Sequence, residues 1–453
     1  MKIAVVGAGI TGLGAAWALD KSHDVTLFES EGRLGGHANT VDITLGGAPL
    51  AVDTGFIVYN ELAYPNLTRL FEALAVPTQR SDMSFSVSLD NGRLEYRGSA
   101  AGLFIQKRNL LRPRFWSMLR DLLRFYRDAP GAMREAETAS MSLGELLTHG
   151  GYGEAFTRDH LLPMGSAIWS TPLEDMLAFP AQSFIQFCEN HGLLLMKGRP
   201  QWRTVTGGSR EYVSRIRDAL RGEVRLASPI AALRRAPDGV YLRAAGRDEE
   251  RFDQVVLACH ADQALRMLGA GATNKERAVL GAFRYEENRA LLHTDASLMP
   301  RRRGAWASWN YTSGSIAAPA DGATLGDFDT QKVSVTYWMN QLQGIDRRHP
   351  LFVTLNPERE PALGSVLRSF VYDHPLFDAA ALQAQRTLPD IQGSLRTWFC
   401  GSYCGYGFHE DGLQAGLGVA AALGAPAPWA QDVIPRSPAA EAVVPAAVME
   451  AAE

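Results

Sequence analysis

Six residues near the start of the chain, Gly7-Ala8-Gly9-Ile10-Thr11-Gly12, have the types and spacing to cradle a pyrophosphate. Lys2 to Val6 form a short apolar run before them, and Leu13 to Leu19 read as a helix after them. In a strand, turn, helix order the first glycine permits a tight turn. The second lets the backbone approach a phosphate, and the third lets helix and strand pack closely. Unpaired amides and the positive end of the helix dipole then face the anion. A second strand, Asp24 to Phe28, ends at Glu29, whose carboxylate is placed to accept both ribose hydroxyls and to repel a 2′-phosphate. A glycine turn that merely reversed the chain would need neither the helix nor the acid, so the segment reads as a dinucleotide site.

Arg33-Leu34-Gly35-Gly36-His37 follows, and then Val52-Asp53-Thr54-Gly55-Phe56. In this order and spacing the chain resembles the flavin-dependent amine oxidase and phytoene desaturase superfamily. That resemblance implies FAD, with the Arg-x-Gly-Gly segment along its pyrophosphate and the Asp-x-Gly turn close to the flavin. The implied contacts here are Gly7, Gly9, Ile10, Thr11, Gly12, Glu29, Ser30, Arg33, Gly35, Gly36, His37, Thr54, Gly55 and Phe56. Two positions depart from the pattern: His37 stands where a second arginine is common, and Glu31 where a base is frequent. Pyrophosphate charge then falls to backbone amides and Arg33.

The elements that must hold this site return twice more. Thr206-Gly207-Gly208-Ser209 precede a helical stretch from Glu211 to Leu220, and the strands that follow turn at Pro237-Asp238-Gly239. The resemblance places the adenine contact on Ile230. Trp398 to Ser402 and Phe408 to Gly416 read as strand, loop and helix. There the resemblance puts Gly401 and Ser402 against the pyrophosphate and ribityl chain. It also puts Gly412 and Leu413 at a helix start facing flavin N1 and O2, where the dipole would stabilise reduced flavin. Glu410 and Asp411 fit equally well as ordinary acids of a helix N-terminus. The expected fold is α/β, a Rossmann-like FAD-binding domain (1–85, 200–285 and 390–428) interleaved with an α+β substrate domain (86–199 and 286–389). The Ala/Pro-rich stretch 429–453 reads as a flexible tail with at most one weak helix.

Composition agrees with a large globular chain. Among 453 residues 46% are apolar and 21% charged, which excludes collagen, coiled coil and native disorder. Lys+Arg 45 against Asp+Glu 49 gives a formal charge of −4, so nucleic acid is not an expected partner. Cys188, Cys259, Cys400 and Cys404 are too few and too uneven for a disulfide framework. They suit a cytoplasmic setting and no metal is expected. No apolar run approaches the roughly 20 residues needed to span a bilayer, and no signal segment is recognisable. Hydrolysis is set aside for want of a G-x-S-x-G elbow.

Substrate is written in the inserted segments. Between Leu103 and Arg127 bases alternate with large apolar residues. A helix there would set Arg120, Arg124 and Arg127 on one face and Leu119, Leu122, Leu123 and Tyr126 on another. Arg301, Arg302 and Arg303 lie between Met299 and Trp306. These clusters read either as core-facing elements with solvated basic edges or as a peripheral contact with an anionic membrane. Ser183 to Gly192, with Gly405 to Gly412, resembles a bacterial sub-family of NAD/FAD-binding, amine-oxidase-like proteins associated with cyclopropane-fatty-acyl-phospholipid-synthase-like methyltransferases. The nearest functional similarity is to the desaturase of methylated fatty acyl chains in furan fatty acid formation. It implies a lipid or hydrophobic substrate losing a hydride to flavin N5 and a proton to a base. His409, Tyr406 and His191 are the candidate bases, each able to be a packing residue instead. Two alternatives stand: an amine oxidase holding its substrate between aromatics such as Tyr403, Tyr406 and Phe408, and a protein that binds FAD without catalysis. The sequence carries no signal of oligomeric state.

Overall fold

The computed structural model describes residues 1–133, 138, 141–314, 334–433 and 443. In chain order the elements used below are β1 (Lys2–Val6), α1 (Ile10–Leu19), β2 (Asp24–Phe28), α2 (Pro65–Ala73), α3 (Pro113–Ala132), α4 (Ala181–Asn190), β3 (Glu223–Arg225), β4 (Gln254–Leu257), β5 (Thr397–Phe399) and α5 (His409–Ala422). The five strands form one parallel sheet in the order β3-β2-β1-β4-β5. A parallel sheet is covered on both faces, which is why its strands read as unbroken apolar runs. Ile3, Ala4, Val5, Val255, Val256 and Leu257 are fully buried. The expected hairpin forms from Ile230–Ala236 and Gly239–Ala244, and Glu249–Phe252 adds a third strand.

The glycine turn is tight enough to require its composition. Gly7 sits at φ +102°, and a Cβ on it would lie 2.4 Å from the Ala258 carbonyl oxygen. A Cβ on Gly12 would meet the Gly7 carbonyl oxygen at 1.8 Å. Helix α1 then runs beside α5. A Cβ on Gly416 would lie 2.2 Å from the Thr11 carbonyl oxygen, and Leu413 packs its side chain onto Gly14.

A second body is built on a seven-stranded sheet. Its order is Val366–Leu376, Arg284–His293, Phe352–Leu355, Val335–Trp338, Trp309–Thr312, Phe85–Leu89 and Leu94–Arg97. Helices α3 and α4 pack together, and Phe125, Phe184 and Phe187 belong to one shared core. The two bodies share chain differently from expectation at two places. Ile43, Val52, Ile57 and Val58, from the first segment, join the core of the seven-stranded sheet. Conversely, the helix Ala379–Thr387 with Leu388 and Ile391 joins the core of the parallel sheet, so the chain returns before residue 390. In both cases apolar side chains follow the nearer core rather than the motif boundary. Among the described residues no helix is long and apolar enough to cross a membrane.

The start of the expected tail is tied down. Trp429 is buried, stacks on Trp17 with centroids 5.4 Å apart, and donates its indole N–H to Asn66 Oδ1 at 3.1 Å. Val443 is buried against Gly418. The rest of 434–453 lies outside the described residues. Trp429→Ala removes a buried aromatic and its hydrogen bond, so urea unfolding should show a loss of about 3 kcal/mol. A change within measurement error would show that this anchor contributes nothing.

Candidate functional site

The first part of the site is a cradle of backbone. Gly9 has ordinary extended backbone (φ −71°, ψ −178°), and a Cβ on it would meet no atom within 4 Å. The space is framed by Gly36, whose own Cβ would come within 3.2 Å of the Gly9 Cα, and by the Gly35 N–H donated to the Ala8 carbonyl at 2.8 Å. Glu29 closes the far rim. Its carboxylate accepts from the Ala8 N–H at 2.8 Å, the Glu31 N–H at 2.9 Å and the Ser30 hydroxyl at 3.1 Å. The Ser228 and Ala227 amides donate to the Glu29 and Glu31 carbonyls, each at 2.8 Å, which brings Ile230 to the acid end of the cradle. Arg33 is already held, donating to the Gly36 carbonyl at 2.9 Å and pairing with Glu31 at 3.2 Å. At the other end Gly412 sits on Thr11 Oγ1 and faces the Ser402 amide, so the Gly401-Ser402 loop and both helix starts converge.

Next comes the turn that the resemblance places by the flavin. Asp53 is fully buried and accepts from Thr40 Oγ1 at 2.6 Å, Ser209 N and Oγ at 2.8 and 2.7 Å, and Gln343 Nε2 at 3.0 Å. Burial lifts its pKa to about 6 against the pull of these donors. Thr54 Oγ1 lies 2.8 Å from the Tyr372 hydroxyl, which also accepts from Asn39 Nδ2 at 2.9 Å. The Phe56 amide donates to the His37 carbonyl at 2.8 Å. The His37 ring tilts against Tyr372 and His374 with centroids 5.0 and 5.6 Å away. Burial, then the neighbouring His374, His260 and His409, hold its pKa well below the ordinary value. Its buried Nε2 has no hydrogen-bond partner among the described residues. An unmet ring nitrogen, an open glycine cradle and a fixed ribose acid fit FAD.

The three candidate bases do not meet. His409 stacks on Phe56 with centroids 3.9 Å apart, its Nε2 is 3.1 Å from the Tyr212 hydroxyl, and burial lowers its pKa to about 3. His191 and Tyr406 instead line a separate pocket with Ala63, Asn190, Phe408, Glu410, Asp411 and Gln414. The His191 Nδ1–H is donated to the Phe187 carbonyl at 2.9 Å, leaving Nε2 as the lone-pair nitrogen. Burial lowers the His191 pKa to about 4 and pushes the Tyr406 hydroxyl upward. Phe187 stacks on both His191 and Phe408, at 3.9 and 4.7 Å, and Trp169 backs it at 4.6 Å. Tyr403 is turned away, buried against Phe283.

The acids of α5 do more than a helix start requires. Asp411 accepts from the Phe408 amide at 2.9 Å. Glu410 is buried and accepts from Asn66 N and Nδ2, each at 2.8 Å, and from Leu67 N at 3.0 Å. It thereby caps α2, whose own N-cap position is Tyr64 and whose first turn starts with Pro65. The missing Ser, Thr, Asp or Asn was a readable signal that α2 needs an acceptor from elsewhere.

The basic clusters are partly spent within the fold. Arg124 donates to the Gly150 and Gly151 carbonyls at 2.7 and 2.9 Å, Arg127 pairs with Asp128 at 2.7 Å, and Arg302 pairs with buried Glu95 at 2.7 Å. Arg301 gives its amide to Glu95 at 2.7 Å, and Arg303 lies over Trp306. Arg120 stays exposed beside the half-exposed Leu123, and both it and Arg124 reach buried Asp121, at 3.4 and 3.5 Å.

A parallel nucleotide-binding sheet with this cradle defines an FAD-dependent oxidoreductase. Residues 10–280 match the family model of flavin containing amine oxidoreductases, and the chain belongs to that family. Among solved structures it is similar to cyclohexylamine oxidase from Brevibacterium oxydans IH-35A, at 18% identity over 93% of this chain and 98% of that one, TM-score 0.65. Putrescine oxidase bound to putrescine matches at 15% identity over 93% and 99%, TM-score 0.65. A CLA-producing fatty acid isomerase from P. acnes matches at 13% identity over 91% and 96%, TM-score 0.63. At these identities the likeness is one of fold. No curated protein matches the chain.

Two measurements test the site. Gly9→Ala fits the fold without a clash, so the variant should keep its far-ultraviolet circular dichroism and lose most of its flavin absorbance; full flavin occupancy would refute the cradle. For Glu410, burial raises the pKa from the usual carboxyl value to about 7. The folded chain therefore holds this proton more tightly than the unfolded chain. Its contribution to stability is complete below the unfolded pKa and is lost as pH rises through the folded one. Relative to wild type, Glu410→Gln should gain on the order of 2 kcal/mol in urea unfolding between about pH 5 and pH 8. A flat difference would mean that the carboxyl stays ionised.

Proposed function

We propose that this oxidoreductase dehydrogenates a lipid, a methyl-branched unsaturated fatty acyl chain of a phospholipid in furan fatty acid formation. FAD held in the cradle would supply the two-electron oxidant for removing a hydride from an activated carbon. What supports the lipid reading is the character of the pocket at the start of α5. Its walls are Phe408, Tyr406 and His191, backed by Phe187 and Trp169. Its two carboxylates are already engaged, Glu410 by the α2 amides and Asp411 by Phe408 N–H. Those donors are neutral and orient the carboxylates without cancelling charge, so it is the ring walls that favour an alkyl chain, which needs no polar partner.

The lysines add to this. Among the described residues Lys21, Lys107, Lys197 and Lys275 are exposed and Lys2 pairs with Glu250, so none stands beside the histidine cluster. Of the candidate bases, His191 presents a lone-pair nitrogen within the pocket and takes the proton in this reading. Tyr406 and Phe408 position the chain, and His409 packs Phe56. Membership in an oxidoreductase family argues against the storage of FAD without catalysis.

The test is anaerobic mixing of the purified holoenzyme with candidate reductants. Methyl-branched unsaturated phospholipids should bleach the flavin, and aliphatic amines should not. Bleaching by amines alone would replace this reading with an amine oxidase. His191→Gln should slow lipid-driven bleaching by roughly a hundredfold if the ring takes the proton, with flavin content unchanged.

A further inference from the structure

The stretch that opens α3 leaves an apolar edge in solvent. Leu111 is 87% exposed, and Leu110, Trp116 and Leu123 are each close to half exposed. The edge is braced rather than loose. The Trp116 indole donates to the Leu110 carbonyl at 2.9 Å, and its ring packs beside Phe104. Along α3 the outward stripe is Trp116, Arg120, Leu123 and Arg127, alternating ring, base, alkyl and base. The opposite side of the helix, with Phe115, Met118, Leu119 and Phe125, is buried.

Around the Leu110-Leu111 edge the charges without an ion-pair partner among the described residues are cationic. Arg108 donates to the Gly92 carbonyl at 3.2 Å and to the Arg93 carbonyl, and Arg112 donates to the Arg93 carbonyl at 2.8 Å. These are neutral acceptors that fix the guanidiniums without cancelling them. Nearby, Asp90 answers Arg93 and Glu95 answers Arg302. Lys107, Arg108 and Arg112 have no acidic partner among the described residues. The crowding is felt at Arg112, whose pKa is lowered by burial and by Arg108, Arg93 and Arg302.

We propose that the Leu110-Leu111-Trp116 edge, ringed by Lys107, Arg108 and Arg112, docks the enzyme on an anionic lipid surface. Exposed alkyl and indole groups enter the headgroup boundary while the cations meet lipid phosphates. A second copy of this chain is the weaker occupant, because a two-fold contact would set these same cations against themselves. The edge is also well placed for supply: α3 packs on α4, and α4 ends at Asn190 and His191 of the pocket. This purpose rests on the lipid reading above, but the docking itself does not.

Vesicle binding is therefore measured apart from flavin reduction. The holoenzyme should co-sediment with phosphatidylcholine vesicles containing phosphatidylglycerol at low salt, and much less with phosphatidylcholine alone. Leu111→Ser and Lys107→Glu, both at exposed positions, should each weaken binding about tenfold with flavin content unchanged. Detergent-dispersed phospholipid should still bleach both variants at the wild-type rate. Binding that is absent, or that is unaltered in both variants, overturns the docking surface. So does a wild-type dimer that Leu111→Ser converts to monomer. Normal docking with no lipid able to bleach the flavin supports the surface and defeats the substrate reading.

Discussion

Everything in this molecule is arranged around the approach of two helices that are nearly the whole chain apart. The α1 backbone at Thr11 comes so close to Gly416 of α5 that any side chain at 416 would strike a carbonyl. The same closeness holds at Gly12 against Gly7, and at Gly412 against Thr11. The result is that two helix starts and the Gly401-Ser402 loop open onto one place. Helix starts favour anions because their first amides lack intrahelical partners. Two of them side by side make a polyanionic cofactor the natural occupant, and the intervening chain has to fold so that this contact closes.

Two buried carboxylates show how that closure is enforced. Asp53 joins Thr40, Ser209 and Gln343, which come from both bodies of the fold. Glu410 joins α5 to the unfilled start of α2. Burying a carboxylate is costly, and the cost is tolerable only because several donors converge on each group. Removing a donor would leave a buried carboxyl under-satisfied, whether or not it holds a proton. The Asp53 cluster is a joint between the two bodies and the Glu410 cluster a joint between two helices of one core, and together they set where Thr54 to Phe56 and the pocket lie.

What could be read from the sequence was local. Strand, turn, helix and acid in the first segment lie within a few turns of one another, so residue type and spacing suffice to place Gly7, Gly9, Gly12 and Glu29. The hairpin at Pro237-Asp238-Gly239 is legible for the same reason. The spacing of Arg120, Arg124 and Arg127 reports a shared side of the helix but not their neighbours: Arg124 turns towards the carbonyls at 150 and 151, and Leu123, expected on the apolar side, is half exposed. Thr40 apart, the partners of Asp53, Glu410 and Tyr372 lie 156 to 344 residues from them, and no periodicity encodes such pairs. Trp429 was lost in an Ala/Pro-rich average, although a large aromatic in such a segment is itself a hint of an anchor.

The question of lipid or amine turns on the same physics. Family membership fixes the cofactor chemistry but leaves the substrate to the pocket, since one fold hosts many substrates. An ammonium bound in a closed site must recover its lost hydration from a free carboxylate or from ring faces. Here both carboxylates serve the scaffold, Tyr403 packs against Phe283, and the remaining rings stack on one another rather than standing apart as a cage. Alkyl groups ask for less, because their transfer from water is favourable without any partner. A site walled chiefly by stacked rings, with the His191 Nε2 left as its uncommitted nitrogen, suits the alkyl substrate proposed above.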